Sequence, residues 1–155
     1  MANTYTQIYI HVIFAVQGRQ NLILPEHKDE LQKYMTGIVT RQKQKLIAIN
    51  NMPDHFHILI GLKPSMPLSD LVGDIKARSS GFINDRRWVR GRFSWQEGFG
   101  AFSYSHSQLS RVIRYIQNQE KHHAGRTFQT EYLDLLKRFN VPYDEQYLFR
   151  PIESV

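Results

Sequence analysis

The chain has 155 residues, 41% hydrophobic and 22% charged, with a net charge of +6 and a pI near 9.7. That balance fits one soluble domain with a single core, and the excess of Lys and Arg favours polyanions such as nucleic acid. The absence of cysteine excludes disulfides and thiolate chemistry; no run nears the roughly 18 apolar residues of a membrane span, no secretory signal is recognisable, and a cytoplasmic location is expected.

Residues 4–16 alternate, with Ile8, Ile10, Val12, Phe14 and Val16 on one face and Tyr9, His11, Ile13 and Ala15 on the other, which predicts a long first strand. Gly18 to Asn21 break it. Pro25 opens a helix with Glu26 and Asp29 in its first turns and Leu31, Tyr34, Met35, Ile38 and Val39 as its apolar stripe. Leu46 to Ile49 read as a second strand. Asn50-Asn51 and Pro53-Asp54 read as turn, and His55 to Ile60 as a third strand paired antiparallel to the second. After a break at residues 63–67, Pro67 starts a second helix with Leu68, Leu71, Val72, Ile75, Phe82 and Ile83 at helical spacing. Lys76, Arg78, Arg86, Arg87, Arg90 and Arg92 make this region basic, and these cations are expected to meet phosphates. Phe99 to Tyr104 is a further strand, preceded by Trp95 in a loop. A helix runs from about Ser107 to His123, stopped by Gly125, and Thr127 caps a last helix that Asn140 and Pro142 end. The tail from Tyr143 has no clear period. The order β-α-β-β-α-β followed by helices predicts an α+β, ferredoxin-like split βαβ fold with an antiparallel sheet and added C-terminal helices, in a single domain over 1–155.

The chemistry concentrates in two short stretches. In His55-Phe56-His57 the imidazoles share one strand face, about 7 Å apart, while Phe56, Ile58 and Ile60 anchor the other. Such a pair can close on a metal ion, though His-x-His alone also suits ordinary strand residues. On the helix 107–123, Tyr115 and Gln119 are spaced i and i+4 and so stack on one face, with His122 and His123 one turn on. Taken singly, Tyr115 is an amphipathic core-edge residue and Gln119 a solvated helix former. Together with the histidines they describe a three-ligand metal site with a phenol nearby that can act as nucleophile.

His55-Phe56-His57 resembles the His-hydrophobic-His signature of the HUH nucleases. The segment Tyr115-Ile116-Gln117-Asn118-Gln119 resembles the Tyr-x-x-x-Gln segment of the single-tyrosine transposases of the insertion-sequence 200/605 (IS200-like) family. The similarity extends to the opening strand, the Lys76-to-Ser80 region and the Gly98-to-Ser103 strand. It implies an enzyme that cuts and rejoins single-stranded DNA at mobile-element ends. Tyr115 would be the nucleophile, leaving a 5′-phosphotyrosine and a free 3′-OH. His55, His57 and Gln119 would hold Mg²⁺ or Mn²⁺. The partner would be single-stranded DNA with hairpin ends, and the assembly a homodimer with active sites shared between subunits. His122 and His123 receive no role.

Other readings compete. An RRM-like layout with basic and aromatic residues suits a non-catalytic single-strand binding module, but has no need of the His pair. A different metal-dependent hydrolase would need a base near the histidines, and only Asp54, read as a turn residue, is adjacent. A domesticated relative would keep the chemistry and change its use.

Overall fold

A computed structural model of the chain describes residues 3–122, 126–144 and 148. The elements in order are β1 (Tyr9–Ala15), α1 (Lys28–Arg41), β2 (Lys45–Met52), β3 (His55–Gly61), α2 (Leu68–Arg86), β4 (Gly100–Tyr104), α3 (Leu109–Gln117), α4 (Gln119–His122) and α5 (Phe128–Arg138). They form a four-stranded antiparallel sheet in the order β2-β3-β1-β4. The expected α+β split βαβ layout is therefore present.

The sheet is covered on both faces. On one face Val12, Phe14, Phe56, Ile58 and Ile60 meet Leu31, Met35 and Val39 of α1 and Leu71, Ile75 and Ile83 of α2. On the other, Ile13, Ala15 and Phe102 meet Phe128, Tyr132, Leu135 and Leu136 of α5. Beside them Ala48 and Leu59 meet Val112 and Ile116 of α3. The period-two alternation of the strands thus sends one row to α1 and α2 and the other to α3 and α5. The face of β3 that carries His55 and His57 is a second, partly polar interior, roofed by the C-terminal helices.

Element ends differ from the sequence expectation for identifiable reasons. The first strand begins at Tyr9, not at residue 4, because its partners run out there: Tyr9 faces Gly61 on β3 and Tyr104 on β4. Asn50 and Asn51 continue β2 instead of turning. Their amides are spent elsewhere, Gln32 Nε2 donating to Asn51 Oδ1 at 2.8 Å and Asn50 Nδ2 donating to the Ile116 carbonyl at 2.8 Å. Only Pro53 and Asp54 are left to turn. The helix expected over 107–123 is interrupted. A short 3₁₀ turn at His106–Gln108 with a Ser105–Gln108 capping box precedes α3, which ends at Gln117, and Asn118 separates it from α4. Asn50 also donates to the Gln117 carbonyl at 3.2 Å, so a strand side chain satisfies the α3 C-terminus where the helix stops. The expected cap by Thr127 is present, its hydroxyl accepting from the Thr130 N–H. His123 and Gly125 lie outside the described residues.

Candidate active site

The turn between β2 and β3 is held from outside. Val16 N donates to the Asp54 carbonyl at 2.8 Å and Ile23 N to the Pro53 carbonyl at 3.0 Å, so the chain leaving β1 clamps it. This fixes Asp54 beside the strand, and its Oδ1 lies 2.6 Å from His55 Nδ1. A carboxylate there accepts a hydrogen bond from Nδ1–H and leaves Nε2 as the nitrogen that could bind a metal, the arrangement that commonly backs metal-binding histidines. Asp54, expected only as a turn residue, therefore also orients His55.

His55 and His57 do share a face, with ring centroids 5.1 Å apart and the planes near perpendicular. Both are buried, at 1% and 0% exposure, because α5 closes over them. Phe128 stacks on the His55 ring at 4.1 Å. Three residues on, Glu131 points into the same space and is 2% exposed. Its Oε1 is 3.1 Å from His57 Nε2 and 3.6 Å from His55 Nε2. Its Oε2 accepts the hydroxyl hydrogen of Tyr115 in a very short contact. The two histidine nitrogens and the carboxylate oxygen all lie within 4.8 Å of one another.

The donor set passes a chemical test for a divalent cation. Asp54 fixes the His55 tautomer, the Nε2 atoms converge on one carboxylate, and a buried anion beside buried imidazoles calls for a compensating positive charge. Two imidazoles with one carboxylate form a donor set that could hold a divalent cation.

Electrostatics separate the groups. Burial alone would depress the His55 imidazole, but hydrogen bonds and charge from Asp54 and Glu131 hold it above the ordinary histidine value. Burial drives His11 well below that value, with His57 adding to the effect. The Tyr115 phenol is pushed up, first by burial and then by the charge and hydrogen bond of Glu131, while Gln119 pulls the other way. Tyr115 is thus neutral and held by Glu131 as long as no cation offsets that carboxylate.

The expected residues stand as follows. His55, His57 and Tyr115 come together in one chain, the Tyr115 and His57 ring centroids 6.0 Å apart. Gln119 is fully buried beside them, its Nε2 donating to the Tyr115 carbonyl at 3.3 Å across the break at Asn118. Sequence reasoning missed Glu131. A signal was present: it falls at an inward position of α5, in phase with Phe128, Tyr132 and Leu135, where an acid is rarely placed without a partner. Lys76 belongs elsewhere than expected. Its Nζ donates to the Gln96 and Gly98 carbonyls at 2.7 and 2.8 Å, bracing the approach to β4.

The family model described as "Transposase IS200 like" matches residues 4–119, which span β1 through the Tyr115 helix and Gln119. The chain belongs to this family. Glu131 lies beyond the residues matched. Among curated relatives, the ISDra2 transposase TnpA of Deinococcus radiodurans is 23% identical over 120 residues, 73% of this chain and 84% of that one. A crystal structure described as a transposase from D. radiodurans R1 superposes with a TM-score of 0.60 at 24% identity, over 76% of this chain and 94% of its own. A REP-associated tyrosine transposase bound to a REP hairpin superposes with a TM-score of 0.61 at 13% identity, over 99% of this chain and 96% of its own. This IS200-like chain therefore shares its fold along nearly its full length with a tyrosine transposase, α5 region included. Among the described residues, no helix is long and apolar enough to cross a membrane.

Proposed function

We propose that this transposase cleaves and rejoins single-stranded DNA at mobile-element ends through a 5′-phosphotyrosine on Tyr115, with Mg²⁺ or Mn²⁺ as its cofactor. The observation that carries the reading is the double contact of Glu131, which joins the Tyr115 hydroxyl and the His55–His57 pair in one buried pocket. His55, His57 and Glu131 would hold the metal, and Gln119 is retained as a further oxygen ligand beside them. When bound, a divalent cation there supplies positive charge that offsets Glu131 and polarises a phosphate oxygen. Tyr115 Oη then forms the bond to phosphorus as the bond to O3′ breaks. Its proton has an acceptor already in place on Glu131, and the departing O3′ takes up a proton from water to become the 3′-OH. Attack by a 3′-OH reverses the linkage.

The DNA would reach Tyr115 from the solvent side of α3. A cavity of about 180 Å³ lined by Tyr104, Arg111, Val112, Tyr115, Leu135 and Arg138 lies against the phenol. A second hollow bordered by Arg111, Arg114, Tyr115 and Asn118 adjoins it. Among the described residues Arg111, Arg114 and Arg138 make no ion pair, whereas Arg78 and Arg86 are paired with Asp74 and Glu30. The cations next to Tyr115 are thus available to phosphates.

A homodimer with active sites shared between subunits is the arrangement implied by the family resemblance. In a single chain Tyr115 already meets its own histidines, and this favours assembly in cis. The test is to mix a His57→Ala chain with a Tyr115→Phe chain: recovered cleavage supports sharing, and a dead mixture supports cis. The chemistry itself is tested by incubating the protein with single-stranded, hairpin-bearing element-end DNA and Mn²⁺ and running a denaturing gel. Cleavage that needs the metal and vanishes in Tyr115→Phe is expected; undiminished cleavage by that variant refutes the proposal.

A further inference from the structure

His11 is a fully buried histidine that the chemistry above does not use. In the β1–β3 register His11 faces Leu59 and Ile13 faces His57, so His11 and His57 are diagonal neighbours on one sheet face. Their rings stack with centroids 5.0 Å apart, and His11 Nε2 lies 2.8 Å from His57 Nδ1. Phe102, Tyr104 and Tyr115 surround His11 at centroid distances of 6.4, 6.3 and 6.2 Å. Among the described residues, its own Nδ1 has no hydrogen-bond partner. The ring is therefore held at one nitrogen only, and that contact goes to the imidazole at the centre of the site.

The contact couples the tautomers of both rings. A neutral imidazole has one N–H and one acceptor nitrogen, and the 2.8 Å contact needs one hydrogen between the rings. Without metal, His57 Nε2 faces the Glu131 carboxylate at 3.1 Å and carries the proton. His57 Nδ1 is then an acceptor, and His11 donates from Nε2. A metal on His57 Nε2 requires that nitrogen unprotonated, which moves the His57 proton to Nδ1. His57 then donates, and His11 must accept at Nε2 and carry its proton on Nδ1. Each ring keeps one proton throughout; only the direction of the bond reverses.

We propose that His11 is the positioning residue for His57, and that the two histidines switch tautomer together when the metal binds. The inference rests on the metal site proposed above. It predicts that a residue at position 11 must accept a hydrogen bond in the loaded state and donate one in the empty state. His11→Leu removes both abilities, so the loaded site loses the acceptor that orients the His57 ring through Nδ1. His11→Gln keeps both, since an amide offers oxygen and N–H₂.

The experiment has two readouts on the full chain. Ring ¹⁵N chemical shifts of the wild type, recorded with and without Mg²⁺, report which nitrogen of each histidine is protonated. Movement of the His57 and His11 protons from Nε2 to Nδ1 is expected; a His11 tautomer that stays the same on loading overturns the switch. Mn²⁺ affinity by calorimetry is expected to fall roughly 10–100-fold in His11→Leu and to recover most of the loss in His11→Gln. Equal affinity in wild type and His11→Leu overturns the positioning role, as does a Gln variant no better than Leu when both are folded. If His11→Leu does not fold, the wild-type shifts and the Gln variant still decide. A wild type that binds neither ion refutes the metal reading and this inference with it, whereas binding without tautomer coupling refutes this inference alone.

Discussion

Glu131 joins the two halves of the site, one oxygen toward the histidines and the other on the Tyr115 hydroxyl. Glu131→Gln keeps the shape and removes the charge. It should weaken Mn²⁺ binding at least tenfold, about 1.4 kcal/mol, as measured by calorimetry. Gln119→Ala should cost less, because an amide oxygen is a poorer donor than a carboxylate; the reverse order would make Gln119 the principal oxygen ligand. The buried setting also changes what the histidine variants are expected to do. His55 and His57 lie under α5 and not on an open face, so His57→Ala should abolish cleavage and also lower stability by roughly 1–3 kcal/mol, visible as a reduced Tm. The shared strand face of His55 and His57 and the closeness of Tyr115 to Gln119 were legible in the sequence because both lie in short local patterns. Glu131 and Asp54 were not read as site residues. Their roles depend on tertiary contacts, α5 folding over β3 in one case and the clamped turn in the other.

The site depends on how α5 lies on the sheet. Gly100 opens β4 directly beneath Tyr132, and a Cβ at that position would come within 2.7 Å of the Tyr132 ring and hydroxyl. Gly100→Ala should therefore press α5 outward. Overpacking of this kind costs about 1–3 kcal/mol, so Tm should fall, and Mn²⁺ affinity should fall with it because Glu131 is on the same helix. An unchanged Tm with unchanged affinity would show that α5 is not the roof of the site. The strands, α1, α2 and the cap of α5 could be read from periodicity and capping residues. The break at Asn118 could not, because it coincides with the Asn50 side chain arriving from β2 to satisfy the Ile116 and Gln117 carbonyls. A contact across that distance in sequence leaves no local trace.

For the whole molecule, the net charge of +6 is less informative than where the unpaired cations lie. Lys76 and Arg78, expected to meet phosphates, are engaged with the Gln96 and Gly98 carbonyls and with Asp74. Binding of single-stranded DNA should weaken steeply with salt. Replacing Arg111 and Arg138 by Ala should reduce the slope of log affinity against log salt by roughly 0.7 per arginine, while Arg78→Ala should leave it nearly unchanged. A slope that responds equally to all three would point to a diffuse basic surface instead of a track beside Tyr115.

The central claim is that Tyr115 is the residue that joins DNA. The sequence holds 8 tyrosines, and among the described residues only Tyr115 is seen to reach the carboxylate shared with the His pair. After reaction with single-stranded element-end DNA and Mn²⁺, the wild-type protein can be digested and the adduct located by mass spectrometry. The predicted result is a nucleotide on the peptide containing Arg114-Tyr115-Ile116, absent from Tyr115→Phe although that variant still binds DNA and metal. A nucleotide on any other tyrosine, or an adduct that persists in the Phe variant, would contradict the account.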